Sequence, residues 1–228
     1  VIPFFQPSPS DPFSPGKVFT FLFVTIGPLK VIGPFAKMTA GWDRGLKRRL
    51  ALQAIVIAVI GAFAAATLGS ILLQNWGISL GALLLTTGLI LFLVAMRVVM
   101  QQYETHEHSE LPPHPTTIPA PQSPAALAFS PLAFPTIITP YGAALLILLM
   151  SLRSGQTEVL VKIGGITLLV LVLDLVAMLT ADRILTTPAA RPTLGILGSV
   201  LSVLQVALGV QAIVEALRLL GVPVLTAG

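Results

Sequence analysis

The 228-residue chain contains no cysteine, and Asp, Glu, Lys and Arg together make up only 10% of it. The missing cysteines exclude, in one step, a disulfide framework, thiolate metal sites, an iron–sulfur centre and a cysteine nucleophile. A soluble domain carries roughly 25% charged residues. So sparse a set cannot cover a 24.0 kDa particle in water, and a soluble enzyme is close to excluded. No Walker-type phosphate loop is present, no serine has His and Asp at catalytic spacing, and no cofactor motif stands out. What fills the chain is apolar: 55% hydrophobic residues and a mean hydropathy of +0.93. The 13 basic and 9 acidic residues leave a net charge of +4. In so apolar a chain such charges sort membrane loops rather than contact nucleic acid. The composition defines a polytopic membrane protein whose first partner is the lipid bilayer.

A spanning helix needs about 20 mostly apolar residues. Six segments qualify: Lys17 to Thr39, Leu50 to Leu73, Ile78 to Met100, Ala125 to Ser151, Val159 to Thr180 and Leu194 to Leu220. All are hydrophobic all round, and the alternation of a membrane barrel is absent. The expected fold is therefore all-α. Before the first span, residues 1–16 carry Pro3, Pro7, Pro9, Pro12 and Pro15, which predicts an extended tail. Residues 101–124 hold six prolines and form the one long hydrophilic linker. It separates a first group of three spans (17–100) from a second (125–220), and residues 221–228 form a short C-terminal tail.

The loop after span one carries Lys37, Arg44, Lys47, Arg48 and Arg49, whereas the loop 74–77 carries no charge. Placing the basic loop in the cytoplasm brings eight basic residues inside, with Lys17, Arg153, Lys162 and Arg218 left outside. The positive-inside rule then predicts an inner (plasma) membrane protein with both termini external. Trp42 and Trp76 fall at loop boundaries, as interface anchors do.

Two spans are interrupted. Span one contains Gly27-Pro28 and Gly33-Pro34; span four contains Pro131, Pro135 and Thr139-Pro140-Tyr141-Gly142. Proline removes a helix hydrogen bond, and freed backbone groups are tolerated in lipid only where protein or a water-filled cavity satisfies them. A packing kink would explain either break alone. Two breaks, each opening a group of three spans, instead predict an inverted repeat with a site where the broken helices meet. Half-helix amino ends suit a carboxylate and exposed carbonyls suit an ammonium, so a small zwitterion fits both.

These motifs resemble the MarC family. Gly27, Pro28 and Phe35 occupy the places of a family motif with Asn or Asp before Pro and Phe seven residues after that Pro. Pro131-Leu132-Ala133-Phe134-Pro135 matches a second motif, followed by Thr139-Pro140-Tyr141 where the family has Gly-Pro-Gly. Trp76-Gly77-Ile78-Ser79 resembles Phe-Gly-Ile-Ser, Gly88 retains one glycine of a pair, and Gly209-Val210-Gln211 matches a closing Gly-Val-Gln. The similarity runs from about Phe19 to Leu220. It implies six helices and transport of small neutral amino acids, with Gly27, Pro28, Thr139, Pro140, Tyr141, Gly142 and Gln211 as substrate-binding candidates. Three departures accompany it: Gly27 lacks the polar side chain, Tyr141 adds a ring, and Lys30 adds a charge.

Lys30 and Asp174 lie inside spans one and five. A lone charge at the helix centre costs at least about 2.5 kcal/mol, so each should face protein or water; one reading is an ion pair between them near the broken helices, the other a snorkelling Lys30 with Asp174 held by backbone or water. Gln205, Gln211, Thr86 and Thr87 are further interior polar groups, expected as interhelical glue, with Gln211 the site contributor among them. His106, His108 and His114 alternate with Glu104, Glu107 and Glu110 in the linker, but their spacing fits no closed zinc site, and a solvated loop without metal is expected. Two functions from different classes remain. One is a secondary transporter of small neutral amino acids; the other is a non-transporting accessory subunit packed against other membrane subunits.

Overall fold

A computed structural model of the full chain describes residues 15–107, 124–152, 156–187 and 189–223. Every regular element among them is helical, and the fold is all-α. Span one consists of α1 (Pro15–Ile26) and α2 (Ile32–Met38), separated by a single tight turn, Pro28–Lys30. Next come α3 (Arg44–Asn75) and α4 (Leu80–Glu107). Span four begins with α5 (Pro124–Leu127), continues through the irregular stretch Ala128–Ile137 and ends in α6 (Pro140–Leu152). α7 (Thr157–Thr186) and α8 (Ala190–Leu219) complete the chain. Five spans are long and apolar enough to cross a membrane, and Pro124–Ile137 with Pro140–Leu152 forms a sixth, bent by 64°.

Helix ends exceed the apolar runs wherever local chemistry allows it. α3 starts at Arg44 rather than Leu50 because the Asp43 carboxylate accepts from the backbone N–H of Gly45 (2.9 Å) and Leu46 (3.2 Å), an N-cap that satisfies two orphan donors. α4 runs on past Met100 because residues 101–107 contain neither proline nor glycine. The hydrophilic stretch thus begins inside a helix. His106 and Glu107 close that helix, and the rest of the His/Glu run lies outside the described residues, as do most of the N-terminal tail and residues 224–228.

The span-four interruption has a sequence cause. Ser130 and Phe134 each precede a proline and adopt extended backbone (φ −136°, ψ 127° and φ −134°, ψ 126°), since proline disfavours the helical region for the residue before it. Both prolines follow cis peptide bonds. The stretch holds its place by burying Ala128, Leu132, Ala133 and Ile137 against α3.

Several of the main contacts recur when the two halves are exchanged, although α4 also packs along α6 while α8 barely touches α1. α1 and α2 of the first half lie on α7 of the second, while the irregular stretch and α6 of the second half lie on α3 of the first. The two middle helices, α3 and α7, touch, and so do the two last helices, α4 and α8. One continuous core fills the broken rods and the middle helices, from Leu22 and Ile26 through Ala54 and Ala58 to Leu132, Val170 and Leu171. Outward-facing Ile60, Leu68, Leu93, Val161 and Ile196 are exposed, as lipid contact requires.

α4 and α8 approach closely through glycine. A Cβ at Gly209 would lie 2.8 Å from the Phe92 backbone nitrogen and 3.0 Å from the Gly88 carbonyl oxygen, so the two helices pack backbone to backbone. Gly209→Ala must push them apart. The expected cost is about 1–3 kcal/mol, read as an earlier unfolding midpoint in detergent; an unchanged midpoint would contradict the close approach.

Candidate functional site

The two interruptions meet. Proline at position 28 offers no N–H to the Val24 carbonyl, and the turn takes the next donors out of helical register. The last carbonyls of α1 are therefore left to other partners. Gln205 of α8 donates Nε2–H to the Val24 oxygen at 2.7 Å. The Thr25 oxygen accepts from Lys30 Nζ at 3.0 Å and from Thr139 Oγ1 at 3.3 Å. Thr139 also accepts from the Gly142 N–H at 3.1 Å, which caps the first turn of α6. One threonine hydroxyl thus ties the amino end of α6 to the carboxyl end of α1.

Lys30 completes the junction. Its ammonium donates to the Tyr141 hydroxyl as well as to Thr25. It stands 4.6 Å from the ring centroid, at the hydroxyl edge, so the contact is a hydrogen bond rather than a charge over the ring face. Tyr141, Thr25 and Thr139 are buried. Gly27, Pro28, Lys30, Thr139, Tyr141 and Gly142 are accordingly brought together, with Gly142 against Ile26. Pro140 starts α6 at the same junction but faces outward.

Gly27 is imposed by this geometry. A Cβ there would fall 2.0 Å from the Phe23 carbonyl oxygen, closer than any non-bonded contact. The polar side chain that the resemblance implies has no room on this backbone.

Two expectations change, those for the Lys30–Asp174 pair and for Thr86 and Thr87. No ion pair joins Lys30 to Asp174: Lys30 is held by Tyr141 and Thr25, and both Asp174 oxygens are without a hydrogen-bond partner. The freed Thr25 carbonyl and the Tyr141 hydroxyl are the acceptors the ammonium reaches. Asp174 is fully buried on α7, the helix that packs against the Pro28–Lys30 turn. Gln211 is half-buried, and Gln205, earlier on α8, reaches across to α1 as interhelical glue. Thr86 and Thr87 bond back to Ala82 and Leu83 of their own helix rather than across helices. The signal for Gln205 was present: a carbonyl four residues before a proline needs a donor, and a glutamine in an apolar span supplies one. Gln205→Leu is expected to cost about 1–3 kcal/mol by stranding the Val24 carbonyl. Chemical denaturation in detergent checks it, and a neutral result would remove that hydrogen bond from the account.

A cavity of about 220 Å³ lies between α1, α4 and α6 and reaches the junction. Lys17 and Leu152 stand at its mouth, aliphatic side chains such as Val18, Leu145 and Leu148 line its walls, and Thr25 with Tyr141 forms its inner end. α1 and α6 therefore run antiparallel along it.

Interrupted helices that meet inside an all-helical polytopic bundle, beside a cavity, define an integral membrane protein of the broken-helix class. The particular family follows from comparison. A family model described as "MarC family integral membrane protein" matches residues 14–220, and the chain belongs to the MarC family. It is similar to UPF0056 membrane protein MJ1677 of Methanocaldococcus jannaschii, with 25% identity over 200 residues, 88% of this chain and 94% of that protein. No solved structure matches the chain.

Proposed function

We propose that the chain is a secondary transporter of small neutral amino acids, with its site between the broken spans one and four. The observation that carries this is the junction itself: α1 and α6 end against one another at Thr25 and Thr139, where a cavity reaches Tyr141. Gly27, Pro28, Thr139, Pro140, Tyr141, Gly142 and Gln211 would form the substrate region, and Lys30 and Asp174 would supply its charges. The contacts that recur on exchange of the halves, α1 and α2 on α7 and the irregular stretch and α6 on α3, are compatible with two inverted three-helix repeats that rock against each other to give alternating access. The basic loop after span one supports a plasma-membrane orientation with both termini external.

A zwitterion arriving through the cavity would meet Tyr141 and the Lys30 ammonium first. Displacing the Tyr141 hydroxyl from Lys30 would give a substrate carboxylate its counter-charge, and Asp174 is the carboxylate available to a substrate ammonium. Proteoliposomes test this directly. Labelled alanine, glycine or serine should accumulate above empty vesicles under a proton or sodium gradient; no flux under either would end the proposal.

One observation favours a second function, that of a non-transporting accessory subunit. Lys30, Gln205 and Thr139 together satisfy the carbonyls that the break frees, and Tyr141 is buried at the same junction. Under that alternative, isolation in mild detergent would return the chain with a stoichiometric set of other membrane subunits.

A further inference from the structure

At the opposite face from the cavity mouth, α3 begins and α7 ends beside a second cavity, of about 350 Å³. Arg44, Lys47 and Arg48 enter it from the first turns of α3, and Asp182 and Arg183 from the last turns of α7. Phe35, Met178 and Leu179 form its apolar side. Of the four cations only Lys47 has a carboxylate partner among the described residues: its ammonium lies 2.9 Å from both oxygens of Asp182. Arg44, Arg48 and Arg183 line the cavity without an ion pair among those residues.

Three guanidinium groups facing one concavity repel each other, and each offers a planar fork suited to two oxygens of an anion. The apolar side matters as much. It continues from the cations to Leu179, exposed on α7 in line with Val172 and Val176, and a soluble anion gains nothing from it. A phosphate that carries acyl chains uses both parts. Basic pockets between helix ends on one membrane face bind such headgroups.

We propose that this cavity is a binding site for the phosphate of an anionic membrane lipid, held by Arg44, Arg48 and Arg183, with Lys47 kept in place by Asp182. The site is independent of the transporter proposal. It also differs from a general basic surface, because Arg49 is adjacent in sequence yet does not line the cavity.

The test is native mass spectrometry of the full-length protein in mild detergent, with phosphatidylglycerol, phosphatidylcholine or inorganic phosphate added separately. The wild type should retain phosphatidylglycerol at least about tenfold more tightly than phosphatidylcholine. At about fivefold per arginine, the Arg44→Gln/Arg48→Gln/Arg183→Gln variant should bind phosphatidylglycerol on the order of a hundredfold more weakly. Arg49→Gln removes the same charge outside the cavity and should change binding less than about twofold. Asp182→Asn should strengthen binding a fewfold by freeing Lys47. Equal retention of the two lipids, equal effects of Arg49→Gln and Arg48→Gln, or displacement of the lipid by inorganic phosphate alone would each overturn the lipid-phosphate site. Circular dichroism of the triple variant excludes unfolding as the cause of a loss, since all three arginines are exposed.

Discussion

Replacing Gly27 with alanine should destabilise the protein by about 3 kcal/mol, and asparagine, the residue type the family motif has there, should do no better. The cause is contact with backbone rather than with a flexible side chain. A Cβ at this position meets the Phe23 carbonyl oxygen at 2.0 Å and its carbon at 2.8 Å. That carbonyl cannot withdraw, because it already accepts the Gly27 N–H at 3.0 Å as the last helical bond of α1. Relief requires α1 to end a turn earlier. That would carry Val24 and Thr25 away from Gln205, Lys30 and Thr139, so the junction would be lost together with the helix end. Denaturant unfolding in detergent measures the effect; a cost below about 1 kcal/mol would mean that α1 does not end as described.

Tyr141 is expected to show the second large effect, and two variants separate its parts. Tyr141→Phe removes only the hydroxyl that accepts from Lys30. Hydrogen bonds to charged groups contribute about 1.5–3 kcal/mol, so a loss in that range is expected, with Lys30 Nζ left on the Thr25 carbonyl. Tyr141→Ala also removes the ring, at a cost of about 3–5 kcal/mol, and extends the 220 Å³ cavity toward Lys30. If the ring closes the passage, alanine-variant proteoliposomes should show more amino acid flux per reconstituted protein than the wild type, while the phenylalanine variant should not. Equal flux in both variants would locate the closure elsewhere. The stability difference between the two variants would still report the ring alone.

These two residues also show what sequence conveys and what it does not. Six spans, the all-helical fold and the positions of both interruptions follow from run length and from Pro28, Pro131, Pro135 and Pro140, because lipid and proline act locally on the chain. Helix ends were less legible. α3 gains a turn and a half from the Asp43 cap, and α4 continues to Glu107, since hydropathy marks where lipid ends and not where a helix does. The partners of the freed groups were not legible at all. Gln205 with Val24, Lys30 with Tyr141 and Lys47 with Asp182 are separated by more than a hundred residues and by no repeating pattern. The expected Lys30–Asp174 pair rested on charge and depth alone, whereas the choice between a carboxylate, a phenol and a peptide oxygen depends on reach. The Gly27 substitution reads in the sequence as a lost functional group; on the folded backbone it is the residue that the bend admits.

Because each interrupted rod rests on the middle helix of the other trio, neither trio encloses a finished interior. The chain is assembled like two hands clasped, not like two fists side by side. Cut between α4 and α5 and produced as separate polypeptides, the fragments would each expose the groove meant for the other's bent rod. They would become protease-resistant only when made together in the same cell.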